Sequence, residues 1–132
     1  EDNAYIIMRD KIGRIAMLHS TATEWQHKFR LEITLEKALI ELSGILSSSK
    51  SYGDEKFKLI KRSKKLNNSK NKLEMKFERD NSWKNEVDEF AHIIRFNKKV
   101  SNGNSNDALR VMELIKKIYN ADTLWKKKFI FN

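Results

Sequence analysis

The chain has no cysteine and no proline, only four glycines, and no long apolar run. Without cysteine there are no disulfides, thiolate metal sites or thiol nucleophiles. A cytoplasmic origin is the simplest reading of that absence. Without a run of about 18 apolar residues there is no membrane-spanning helix, so no membrane is expected as a partner. No segment pairs basic residues with a short apolar stretch in the manner of a signal peptide. The glycines, at 13, 44, 53 and 103, are too few and too scattered for G-x-G-x-x-G or G-x-x-x-x-G-K-[ST]. On its own, the chain is not expected to hold a dinucleotide or a nucleoside triphosphate through a glycine-rich loop. The lack of proline permits long uninterrupted strands.

What is present fits one domain: 132 residues, read as a single unit over 1–132. The first residue is Glu1 rather than Met, which suits a fragment or processed product. The net charge of +9 invites a phosphate-bearing partner. However, the basic residues are mostly lysines and are spread along the whole chain. That pattern reads as a solvated surface and argues against nucleic acid, where arginine forks carry most recognition. The densest basic group, Lys61, Arg62, Lys64, Lys65, Lys70 and Lys72, surrounds one polar loop. Lys61, Arg62, Lys64 and Lys65 are the best candidates for an anion contact. The neighbouring Phe57 and Phe77 fall on the alternation expected to face a core, so no aromatic platform for single-stranded nucleic acid is expected.

The first two-thirds of the chain alternates with period 2. Ala4–Met8 and Arg14–Leu18 predict a hairpin about the turn Asp10-Lys11-Ile12-Gly13. Phe29, Leu31, Ile33 and Leu35 alternate with Lys28, Arg30, Glu32 and Thr34, a strand with one buried face. Leu39–Leu42, Phe57–Ile60 and the alternation Leu73, Met75, Phe77 predict three more strands. Ser63–Asn71 reads as a hairpin loop. After Asp80 the period becomes 3.6. With Ser82 as N-cap, Trp83, Val87, Phe90, Ala91 and Ile94 form one helical stripe. Asn102-Gly103-Asn104 breaks it, and Ser105 opens a second helix with Ala108, Val111, Met112, Ile115, Ile118 and Tyr119 on one face. These stripes read as core packing, and Lys126-Lys127-Lys128 as a basic tail at a helix C-terminus. The expected class is α+β: one open, mostly antiparallel sheet with helices packed on one face. The opposite face, carrying Lys28, Arg30, Glu32, Thr34 and Glu41, would be wet or form an interface of charged pairs.

Three groups invite chemistry. His19 and His27 flank the polar turn Ser20–Gln26, and either is suited to proton transfer or to lining a cleft. Glu24 and the distant His92 show no metal-ligand spacing, so no metal site is expected. Trp25 and Gln26 sit where a strand begins, an aromatic and an amide able to floor a sugar-like ligand or, more plainly, to cover a core edge. Ser47–Gly53 is a hydroxyl-rich loop containing Lys50 and Tyr52, without the glycine spacing of a phosphate nest. The Lys50/Tyr52 pair lacks the helical spacing of a tyrosine–lysine acid pair.

Taken in order, Ala16–Ile33 with its run His19-Ser20-Thr21-Ala22-Thr23-Glu24-Trp25-Gln26-His27-Lys28-Phe29, the Gly44–Tyr52 loop, Glu86–Ile94 and Ser105–Asp122 resemble the C-terminal domain of the glucose–fructose oxidoreductase / inositol dehydrogenase (Gfo/Idh/MocA) family. The resemblance covers essentially the whole chain. It implies a parent NAD(P)-dependent dehydrogenase acting on a hydroxyl or carbonyl of a sugar, polyol or sugar nucleotide. An upstream Rossmann domain would bind NAD or NADP, and this domain would complete the substrate cleft and join subunits through its sheet into a homo-oligomer. The family's catalytic lysine, in a Glu-Lys-Pro motif, and its proton-transferring histidine fall upstream of Glu1. No catalytic residue carries over, and the chain by itself binds no cofactor in this reading. Trp25, Gln26 and His27 are the substrate-side candidates. Where many members have a Gly-Thr-x-Gly turn, this chain has Leu35-Glu36-Lys37-Ala38. Strands of the complete domain are missing on the N-terminal side, which would leave one sheet edge to pair with another copy. The rival reading is a stand-alone, non-enzymatic binding or assembly module of the same fold class.

Overall fold

A computed structural model of the chain describes residues 2–47, 49–63 and 71–128. The order is six strands followed by three helices: β1 (Asn3–Arg9), β2 (Ile15–Thr21), β3 (Arg30–Thr34), β4 (Ala38–Ser43), β5 (Lys56–Lys61), β6 (Lys72–Lys76), α1 (Ser82–Arg95), α2 (Ser105–Ala121) and α3 (Thr123–Lys128). The fold is α+β, and all its strand pairing is antiparallel. Where alternation alone predicts one sheet, the strands divide into two: the hairpin β1–β2 and the meander β3–β4–β5–β6. Periodicity fixes which face a strand buries but does not say which strands pair. The chain also separates into two units, Glu1–Thr21 with Glu86–Asn132, and Ala22–Asn85.

In the first unit, the β1–β2 turn forms as its residues dictate. Asp10 accepts from the backbone amides of Ile12 and Arg14, and Gly13 takes φ +89°. Both hairpin faces carry apolar side chains. Ile6 lies opposite Leu18 on one, and Ile7 opposite Met17 on the other. Ile7 and Met17 are 77% and 81% exposed. The helices keep the predicted stripes, yet none of their described residues is buried. Trp83, Phe90, Ile94, Met112 and Ile115 are all exposed, and Ile118 is half-buried.

The helix starts depart from expectation in detail. Ser82 is the first residue of α1 rather than its cap, and both its amide and its hydroxyl donate to Asp80 Oδ1. The amide of Asn85 donates to the carbonyl of Asn81. α2 is capped by Asn104, whose side chain accepts from the Asn106 and Asp107 amides while Asp107 accepts from the Asn104 amide. This reciprocal box, worth about 1 kcal/mol, accounts for the abrupt start after Gly103. The basic run 126–128 lies in the last turn of the short α3. Trp125 of that helix stacks on Tyr119 of α2 at 4.1 Å.

The second unit is the meander. Its register aligns two rows across all four strands: Leu31, Leu42, Phe57, Met75 and Ile33, Ile40, Leu59, Leu73. These eight side chains make one continuous apolar face, as successive residues of a strand alternate between faces. The turn Leu35–Ala38 closes without glycine through a Leu35 N–H to Ala38 carbonyl bond of 2.8 Å, and none of its residues has positive φ. Among the described residues Gly44 alone is buried. Phe57 is half-buried and Phe77 is exposed, so neither occupies a core.

Candidate functional site

The opposite face of the meander is charged and paired within itself. One cross-strand row reads Glu32, Glu41, Lys58, Glu74. Lys58 Nζ lies 2.9 Å from Glu41 Oε1, Arg30 bonds Glu32 and reaches Glu41 at 3.4 Å, and Lys72 lies 2.6 Å from Glu74. The hydrogen bond from Lys58 holds the Glu41 carboxyl below its ordinary value, and Lys72 does the same for Glu74. At the sheet end, the Lys76 bond lowers Asp54. Depressed carboxylates contribute stability that is present above the unfolded-state value and lost as pH falls through the folded one. The meander is therefore expected to keep its stability from neutral pH down to about pH 4.5 and to weaken below it. Urea midpoints measured as pH falls from about 5 to about 3 should drop less steeply for Glu41→Gln than for the native chain. An unchanged slope would remove Glu41 from the account.

Above this sheet end, the loop between β4 and β5 makes the most structured polar cluster. Gly44 and Gly53 have φ of +71° and +74°, and Lys50 has φ +53°. The Gly44 amide donates to the Phe29 carbonyl at 3.0 Å, and the Leu46 amide donates to Glu55 Oε2 at 3.0 Å. Two turns follow, with Lys50 N–H on the Ser47 carbonyl and Gly53 N–H on the Lys50 carbonyl. Across them runs a chain of hydroxyls. Ser47 Oγ is 3.1 Å from Ser49 Oγ, which is 2.9 Å from Ser51 Oγ. Ser51 Oγ lies 2.8 Å from His27 Nδ1, and the His27 ring meets the Tyr52 ring at 5.0 Å between centroids.

The structure thus joins two stretches that the sequence offers separately, the segment bearing Trp25, Gln26 and His27 and the hydroxyl loop. Only His27 of the three makes that junction among the contacts described. Trp25 is 92% exposed and covers no core edge, and Gln26 is exposed beside it. His19 belongs to the hairpin instead, stacked on Tyr5 at 4.0 Å with Nε2 3.2 Å from Asn3 Oδ1. Ser47, Lys50, Gly53, Asp54, Lys76 and Asp80 help line an open concavity of about 610 Å³. Leu46 and Phe77 line it as well, so its wall mixes apolar side chains with a hydroxyl, two lysines and carboxylates.

Of the proposed anion contacts, Lys61 ends β5 opposite Ala38, and Arg62 donates its amide to the Lys37 carbonyl at 2.8 Å. Both are exposed. Lys64 and Lys65 lie outside the described residues. Among the described residues no group of three His, Asp or Glu side chains is placed to hold a metal ion, and no helix is long and apolar enough to cross a membrane. The signal that sequence reading missed is Gly44, whose position after a strand gives no hint that a carbonyl lies against it. Comparisons with family models, with curated proteins and with solved structures give no match for this chain.

Proposed function

We propose that the chain is the C-terminal domain of a cytoplasmic NAD(P)-dependent oxidoreductase acting on a hydroxyl or carbonyl of a sugar, polyol or sugar nucleotide. In this reading a Rossmann domain of the parent holds NAD or NADP, and this domain completes the substrate cleft and joins subunits. The observation that carries it is the contact of His27 with Ser51 and Tyr52. It unites two of the four stretches that carry the family resemblance, and it presents an imidazole, a phenol and hydroxyls together, the donors and acceptors that a polyol requires. Trp25 and Gln26, exposed just before His27, lie within reach of a ligand arriving there from a partner domain.

The test uses the parent enzyme carrying both domains. His27→Ala and Ser51→Ala are expected to raise KM for the sugar or polyol about tenfold, with the affinity for NAD(P) unchanged, as lost hydrogen bonds to bound substrate would. Coding sequence preceding Glu1 that lacks a strand, glycine-rich turn and helix in that order would sink the oxidoreductase reading.

The second reading, a binding or assembly module without enzymology, is favoured by a different observation: the eight-residue apolar face of the meander is open, with Leu31, Ile33, Leu73 and Met75 between 40% and 50% exposed. Contiguous apolar surface of this kind marks an association site.

A further inference from the structure

Strand β6 presents an edge that is complementary to itself. Among the described residues it pairs with β5 alone, so its other edge carries no strand. The Phe77 amide donates to the Glu55 carbonyl at 3.0 Å, and Met75 stands opposite Phe57 in the same ladder. Backbone groups of successive residues turn to opposite sides of an antiparallel strand. Those of Leu73, Met75 and Phe77 therefore turn to β5, and those of Lys72, Glu74 and Lys76 turn outward. Such a row of amides and carbonyls is a template for a further strand. Edges are usually blunted with proline or with charge, since like charges set opposite one another repel. β6 contains no proline, and its charges alternate in sign: Lys72, Glu74, Lys76 and, just past the strand end, Glu78.

We propose that β6 is a dimerisation edge, at which it pairs antiparallel with β6 of a second copy about a two-fold axis through Met75. In that register Glu74 stands opposite Lys76 of the other copy and Lys72 opposite Glu78, each pair occurring twice. Glu74 and Lys76 are also the residues whose backbone groups turn outward, so each such pair exchanges both of its main-chain hydrogen bonds. On the other face Leu73 meets Phe77 and Met75 meets its copy, and these three are 50%, 38% and 46% exposed. Two apolar meander faces then lie side by side in one continuous sheet. Neighbouring registers fail. A shift of two residues sets Glu74 on Glu74 and Lys72 on Lys76, or else Lys76 on Lys76 and Glu74 on Glu78. The ion pairs of Lys72 with Glu74, 2.6 Å, and of Lys76 with Asp54, 3.0 Å, leave these side chains about half exposed, with surface for a second partner. The opposite edge strand, β3, matches itself less well, because only Arg30 and Glu32 of its outward row can meet opposite signs. The pairing is isologous and closes at two copies. It rests on the reading of this domain as one that joins subunits, and on no chemistry of the parent enzyme.

Sedimentation of the full chain at low salt tests it, with circular dichroism to show that each variant keeps its sheet. Glu74→Lys sets lysine on lysine twice and should weaken the dimer about thirtyfold. Adding Lys76→Glu restores opposite signs in the same register and should bring the dimer back to within about threefold of native. The chain has no cysteine, so a single one reports geometry. Met75→Cys places two sulfurs on a non-hydrogen-bonded pair, with Cα atoms about 4.5 Å apart, and should give a disulfide-linked dimer under mild oxidation. Leu73→Cys, about 13 Å from its own copy in this register, should not. A dimer that Glu74→Lys leaves unchanged, or equal cross-linking at both cysteines, overturns the edge pairing alone. A chain that stays monomeric at every concentration overturns it together with the subunit-joining reading.

Discussion

Gly44→Ala is expected to unfold the meander at markedly lower urea, by about 2–5 kcal/mol, while Gly53→Ala costs only about 1 kcal/mol. The two glycines make a matched pair. Both have φ near +70°, a conformation that an L-residue adopts at a cost of about 1 kcal/mol. They differ in what a methyl group would meet. At Gly53 nothing lies within 4 Å of the added carbon, whereas at Gly44 the Asp54 carbonyl oxygen lies 2.1 Å away and its carbon 2.7 Å. Those are backbone atoms, which cannot swing aside as a side chain tip can. Relieving the overlap means moving Asp54, and with it the Lys76–Asp54 ion pair at 3.0 Å and the Glu55 carbonyl that receives the Phe77 amide. The β3–β4 and β5–β6 pairings would lose their common end. Urea midpoints for the two variants, followed by a probe of the sheet, separate the overlap from the backbone conformation. Equal losses would mean that the chain approaches less closely at Gly44 than the structure has it.

The contrast between these glycines shows what the sequence could and could not reveal. Local pattern was legible: the alternation of Leu31 and Ile33, and of Leu73 and Met75, locates β3 and β6 to within a residue or two, and the 3.6 spacing from Trp83 to Ile94 locates α1. Asp10 and Gly13 carry their turn in their own chemistry. Long-range facts were not legible. The break between β2 and β3 that makes two sheets depends on strand pairing, to which alternation is blind. Asn104 as the α2 cap was within reach, since Asp107 stands three residues on, but Ser105 offered an equally good cap type. The chemistry of His27 is plain in the sequence, yet its partner Ser51 stands 24 residues away in a loop whose hydroxyls look alike. The close approach of Asp54 to Gly44 has no sequence signal at all. The resemblance to an oxidoreductase domain concerns the order and spacing of segments, and the contacts that would turn those segments into a site come only from the fold.

On the proposal that copies of the chain join through the meander, Leu31→Lys combined with Leu73→Lys is expected to weaken that association by about a hundredfold or more. The reason lies in how the two faces of the meander are satisfied. The polar face has Arg30, Lys58 and Lys72 already engaged with Glu32, Glu41 and Glu74 in the same chain, so a partner docking there must compete with existing pairs and with water. The apolar face is less satisfied within its own unit: Leu31 and Leu73, on the two edge strands, are 43% and 50% exposed, with half-buried Ile40, Leu42, Phe57 and Leu59 between them. Covering the exposed half of each leucine is worth about 0.7–1.5 kcal/mol, so losing two removes about 1.5–3 kcal/mol from association, and the cost of burying two lysines comes on top. Sedimentation of native and variant chains over a range of concentrations measures the shift. Salt provides the second axis, because an apolar interface holds or strengthens as ionic strength rises, while one built on the Arg30–Glu41 face loosens. A variant that associates as tightly as the native chain, in a salt-sensitive way, would place the contact on the charged face. Association that is unchanged and indifferent to salt would move it to the hairpin, where Ile7 and Met17 present the other open apolar surface.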